Sequence, residues 1–386
     1  MNSSATAVAA TAPVVDGAAA ASPRRPWLRR AVLSVAILAF VAFLAWSVAL
    51  RQALLLLVGV GMGATLAGAR FGFTTGWRNF IEQRDPSGVL AQLLLIALAA
   101  IICMPMLAAY PKALGAALGA PRYSLLIGAF VFGACMQLAD GCGSGTLFKA
   151  GLGIPLNTVI LPLFAIGSFL GSASLESWLS LGFFKPYGMV THFGGGEALG
   201  VTLLGLASIA VCVLHFADPA KPRLTRKLVI GAVLLAVLAG LNLAIAGQAW
   251  GIVYGFGLWA AKVATAAGVF HPAANAYWSE AVNQGTLHHS VFLDITSITD
   301  IGILAGALWI AVGKPRRKSK PMSSKQWLVA VIAGFFLGYS SRLAFGCNIG
   351  AMVSGISTGS VHGWIWVAAA YPGSVLGLRL RRHFGY

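Results

Sequence analysis

Apolar runs of about 17–25 residues succeed one another along almost the whole chain, each long enough to cross a hydrocarbon core of roughly 30 Å as a helix. They fall near 31–50, 53–69, 88–110, 123–150, 155–172, 194–216, 228–248, 295–313, 327–358 and 361–380. A water-soluble fold has no place for so many such segments. Of the 386 residues, 58% are hydrophobic and 10% are charged, where a soluble domain carries about a quarter. The expectation is an all-α integral membrane protein of about ten membrane segments in the lipid bilayer of a bacterial-type cell inner membrane. The stretch 250–270 is also apolar, but it contains Lys262, and its sequence leaves open whether it crosses.

The net charge of +17 would suggest nucleic acid in a soluble protein, but the positions of the charges argue otherwise. Basic residues cluster at Arg24–Arg30, Lys221–Lys227, Lys314–Lys325 and Arg379–Arg382, and every cluster abuts an apolar run. That is the positive-inside pattern of a membrane protein, and no nucleic-acid partner is implied. If all four clusters are cytoplasmic, both termini are too. An even number of crossings then separates neighbouring clusters, and the helices after 123–150 and 327–358 run in opposite directions. Residues 1–26 read as a disordered cytoplasmic tail rich in Ala, Ser, Thr and Pro. Residues 27–52 read as an additional N-terminal helix, 53–216 as a first half and 228–386 as a second half.

Runs 123–150 and 327–358 are too long and too glycine-rich for single straight helices. They read as helices broken at mid-membrane depth, and they resemble each other. Gly133, Gly141, Cys142 and Gly145 recur as Gly338, Gly346, Cys347 and Gly350, always 205 residues later. Similar sequence in opposite orientation is an inverted repeat, a common plan among secondary transporters. On this plan 53–69 and 250–270 should be partners, although parity makes the first cross and the second not.

The chemistry concentrates in Asp140-Gly-Cys-Gly-Ser-Gly-Thr146 and Phe345-Gly-Cys-Asn-Ile-Gly-Ala351. Gly141, Gly143 and Gly145 in the first, and Gly346 and Gly350 in the second, let the backbone leave helical geometry. The new helix ends then present free N–H groups and the positive end of a dipole to an anion. Ser144, Asn348, Cys142 and Cys347 add side-chain donors. A purely structural reading makes these packing motifs with the cysteines as small buried hydrophobes. Two cysteines at equivalent places in two breaks favour a binding role. Cys103, Cys135 and Cys212 keep the packing reading. Asp140 beside the first break, Arg342 before the second and Lys262 are further candidates, since ionisable residues inside a membrane are functional by default. Asp294 and Asp300 read as capping or topological residues. No metal, nucleotide or dinucleotide motif is present in the sequence, so no cofactor is expected.

The segment from Phe132 to Thr146 and the segment from Phe345 to Ala351 resemble the two signatures of the YeeE/YedE family of membrane proteins, with a weaker likeness at Tyr254–Lys262. The resemblance covers roughly residues 53–382. It implies a transporter of thiosulfate or a related sulfur anion, with inverted halves around a narrow passage. In that passage cysteine thiols, here Cys142 and Cys347, hold the anion through S–H hydrogen bonds. It also implies a small soluble sulfur-transfer partner. Thiosulfate-carrying members have a third cysteine in an early Arg-Phe-Cys motif. Here the motif reads Arg70-Phe-Gly72, which leaves two thiols or a different substrate. The competing readings are a membrane thiol sulfur-transfer enzyme, which would need an activating base beside the cysteines, and a non-transporting subunit, which has no need of broken helices.

Overall fold

The computed structural model describes residues 26–182, 184–312 and 321–386. The N-terminal tail and the basic residues from Lys314 to Lys320 lie outside the described residues. Among those described there are no strands. Nine helical segments are long and apolar enough to span a membrane.

Helix α1 (Pro26–Ser47) leads into α2 (Leu50–Ala69), α3 (Phe73–Gln83) and α4 (Ser87–Ala109). Then come α5 (Tyr123–Leu138), α6 (Gly143–Gly151), α7 (Pro155–Ala173) and α8 (Gly195–Phe216). The remainder holds α9 (Arg226–Ala246), α10 (Val253–Ala266), α11 (Ile295–Val312), α12 (Ser324–Leu343) and α13 (Val361–His383). A π-helical stretch at Asn348–Ser354 lies between α12 and α13.

Three sequence expectations shift. The first helix ends at Ser47 rather than near Leu50, because Arg51 belongs to the first turn of α2. There its guanidinium donates to the carbonyls of Ile245 and Ala246 at the end of α9, groups a helix terminus leaves without internal partners. Secondly, the run 250–270 holds α10, whose 14 residues rise about 21 Å, short of a full crossing. Thirdly, α3 matches none of the apolar runs. It is an 11-residue helix of mixed polarity, entered through Arg70 in the left-handed region. The run 53–69 thus holds a helix of 20 residues and 250–270 one of 14, unlike in length. Helix α13, at 23 residues, is long enough to cross but is less apolar than the nine segments, with His362, Tyr371, Pro372 and Ser374 along it.

Glycines set how the bundle closes. A Cβ on Gly133 of α5 would stand 2.0 Å from the carbonyl oxygen of Ala370 on α13, and one on Gly338 of α12 would stand 2.1 Å from that of Phe164 on α7. Gly59 and Gly63 of α2 meet α11 in the same way, and Gly302 and Gly306 of α11 meet α2. These are small-residue contacts of membrane helices, in which backbones approach without side chains between them. Helices α1 and α8 are peripheral, and α8 leaves Val201, Leu204 and Val211 exposed on its outer face.

Candidate functional site

The same backbone path occurs twice, 205 residues apart. Asp140 and Phe345 both adopt positive φ, at 51° and 60°. Gly141 N–H closes onto the Met136 carbonyl, and Gly346 N–H onto that of Ser341. Cys142 caps the N-terminus of α6 and Cys347 that of the π-helical stretch, with φ, ψ of −88°, −168° and −98°, −170°. Thr146 N–H and Ala351 N–H then donate to the Cys142 and Cys347 carbonyls, both at 2.8 Å. Gly346, at φ 140°, needs glycine for its conformation; Gly141 needs it for space, because a Cβ there would press on Thr146.

The two breaks meet. A Cβ on Gly143 would lie 2.9 Å from the Cys347 Sγ, so the second thiol rests on the bare backbone just after the first. Both cysteines are fully enclosed. The Cys142 Sγ accepts from Gly145 N–H at 3.4 Å and pairs with the Ser144 hydroxyl at 3.4 Å, and the Thr74 hydroxyl of α3 approaches it. Around this point several enclosed polar side chains have no protein partner: Thr74, Thr146, Asn157 and Asn348. Buried polar groups are normally satisfied, and a cluster of exceptions marks a place where water or ligand supplies the missing bonds.

On one side of the cysteines, Asp140 joins Arg78 at 2.7 Å and Lys149 at 2.8 Å. Arg78 also donates to Gln137, and Arg381 donates to the Gln137 carbonyl at 2.7 Å. Three cations thus surround one carboxylate, leaving a net positive approach. On the other side, at the opposite end of α13, a cavity of about 750 Å³ is lined by Trp250, Tyr254, Asp294, Phe345, Gly350 and His362, among others. Asp294 caps α11 by accepting from Ser297 N–H at 2.7 Å; its burial pushes the carboxyl up from its usual range against that bond.

The remaining candidates scatter. Gly350 faces the cavity and has open space around its Cα, so packing does not demand glycine there. Gly145 has only the Cys142 Sγ nearby. Arg342 bonds the Tyr277 hydroxyl and lies over the Tyr254 ring, behind the cavity wall. Lys262 donates to the carbonyls of Leu287 and His289, away from the breaks. Gly72 lines a small hollow of about 80 Å³ with Arg70 and Asn79. Cys103 packs against Leu107 and Leu243, and Cys212 is exposed on α8. Sequence reasoning missed Arg78, Lys149, Arg381, Thr74 and Asn157. Only Lys149 left a sequence signal, as a cation inside the apolar run 123–150.

The family model described as sulphur transport matches residues 68–376. The thiosulfate transporter TsuA of Spirochaeta thermophila is 26% identical over 335 residues, covering 80% of this chain and 93% of that protein. The probable transporter YedE of Escherichia coli is 38% identical over 78 residues, covering 20% of this chain and 19% of its own. The matched span includes both breaks, both thiols, and Asp140 with Arg78 and Lys149. The chain belongs to the sulphur transport family.

Proposed function

We propose that this protein imports thiosulfate or a closely related sulfur oxyanion, through a passage that narrows where Cys142 and Cys347 meet. The observation that carries the reading is the contact of the Cys347 thiol with Gly143, at the joining of two broken helices with unpartnered polar groups around them. An ion at that depth costs several kcal/mol or more unless donors replace its water. The thiols, Ser144, Asn348 and the Gly143 N–H are such donors, while Gly145 N–H holds the Cys142 Sγ in place. The cavity beside Gly350 admits the anion, and Arg78 and Lys149 draw it out past Asp140. Arg342, Lys262 and Gly72 take no direct part. The neighbours of Cys142 are a hydroxyl and an amide, which favours holding an anion over attack by a thiolate.

The passage lies between two halves that are inverted. In support, α5 and α13 run in parallel, with Phe130 against Gly373 and Ala134 against Gly377, and α7 and α12 do the same, with Phe335 against Gly167 and Tyr339 against Gly171. The start of α12 sits beside the end of α13, where Tyr386 donates to the Gln326 carbonyl. Helix α5 and its counterpart α12 therefore point in opposite directions. With Arg379–Arg382 cytoplasmic, the Asp140 cluster faces the cytoplasm and the large cavity faces the outside of the cell inner membrane. A small soluble sulfur-transfer protein receives the anion on the cytoplasmic side.

The test is uptake by the purified chain in liposomes across thiosulfate, sulfite and sulfate. Saturable entry of thiosulfate, or of one other sulfur oxyanion in preference to sulfate, is expected. Equal entry of all three, or none, contradicts the reading.

A further inference from the structure

Asp300 is wholly enclosed, and neither of its carboxyl oxygens has a partner. It is the sixth residue of α11, past the first turn, so it does not cap that helix. Its Oδ2 would lie 2.9 Å from a Cβ on Gly255 of α10, on the helix whose Val253 touches the Gly143 position. That same Gly143 position is where the Cys347 Sγ rests, so α10 links the carboxyl to the joining of the two breaks.

The cations on the elements around it are engaged elsewhere. On α2, Arg51 holds the carbonyls of Ile245 and Ala246, and Arg70 lies at the far end of the helix. On α6, Lys149 is paired with Asp140. On α10, Lys262 is bound to loop carbonyls, and Tyr254 bonds Asn283 and Thr286. On α1, Arg30 lies over the Trp309 ring. The remaining charged neighbour is Asp294, of like sign, at the cavity six residues or about 9 Å earlier on the chain. The corresponding station on α4 is filled differently. Gln92 stands against Gly76 of α3, but accepts from Trp77 Nε1 at 2.9 Å and donates to the Phe73 carbonyl. A satisfied neutral amide serves packing; an unsatisfied carboxyl in the same kind of place serves something else.

We infer that Asp300 is a proton-binding site that couples proton movement to anion passage, loading from the cavity by way of Asp294 and carrying its proton while the anion lies at Cys347. The physical reason is like-charge repulsion. An anion beside an ionised carboxylate in a low-dielectric site is strongly disfavoured, whereas beside the neutral acid it is not. Anion and proton therefore bind better together than singly, and by linkage each raises the other's affinity. Once the anion has left, the proton returns to water.

The inference rests on the proposed transport of a sulfur oxyanion, and one experiment separates the two. The full-length chain in liposomes is given thiosulfate with and without a one-unit pH gradient, acid outside, and an entrapped pH dye is monitored. The gradient should raise wild-type accumulation several-fold, towards about tenfold per coupled proton, and the lumen should acidify as thiosulfate enters. In Asp300→Asn the ratio of accumulation with and without the gradient should fall to about one, whatever the basal rate. A gradient-insensitive wild type, or a variant with the wild-type ratio, overturns the inference while leaving transport intact. Should Asp300→Asn fail to insert, the same ratio is read in Asp300→Ser, where it should again fall to about one, and a wild-type ratio there overturns the inference. A wild type that moves no sulfur oxyanion in either condition contradicts the transport reading itself.

Discussion

A single missing methyl group decides how close the two halves of the site come. Gly143 has no Cβ, and the Cys347 Sγ occupies that space. In Gly143→Ala the thiol must move by several tenths of an ångström from its place at the joining point. The backbone conformation of residue 143 is helical, so alanine strains nothing else. Thiosulfate uptake should drop at least tenfold with membrane abundance unchanged; normal uptake would place the narrow point elsewhere. The cysteines and their glycines were legible in the sequence because each motif is contiguous and occurs twice. Asn157, Thr74 and Arg78 were not, because other helices, α7 and α3, deliver them to the breaks. Asp300 was visible as a capping or topological residue; its place inside α11, buried and without a partner, appears only in the packed structure.

At the scale of helices, length and apolarity placed nearly every spanning element. They failed where helices are short. Helix α3 carries polar residues such as Asn79 and Arg78 over only 11 residues, so it left no apolar run. Closeness of packing was hidden for a related reason, since a glycine in an apolar run signals a weak helix as readily as a contact. The contacts of Gly133 and Gly338 involve backbone carbonyls, which cannot rotate away as a side chain does. Alanine at either position forces two helices apart. Gly133→Ala and Gly338→Ala should each destabilise the fold by about 1–3 kcal/mol, read as a lowered unfolding temperature of the protein in detergent. If both variants unfold like the wild type, the close approach of α5 to α13 and of α7 to α12 is wrong.

In the whole molecule, on the proposed plan, two like halves exchange partners: α2 with α11 and α4 with α9, α5 with α13 and α7 with α12. Each half contributes one break, and the thiol of the second rests on Gly143 of the first. The 205-residue offset was enough to reveal the repeated motif, while the joining of the two breaks depends on bundle packing that no local pattern encodes. The two sides of the joining point differ: a cationic cluster stands at Asp140 on one, and an aromatic-walled cavity ends at Gly350 on the other. The central claim is that the anion passes between the two thiols, and uptake by single-cysteine variants tests it most directly. Cys142→Ala and Cys347→Ala should each reduce thiosulfate entry into liposomes at least tenfold, with Cys103→Ala and Cys212→Ala at wild-type rates. Cys142→Ser and Cys347→Ser should recover part of it if a hydrogen-bond donor is what the anion needs. Undiminished entry in both Cys142→Ala and Cys347→Ala would contradict passage between the thiols.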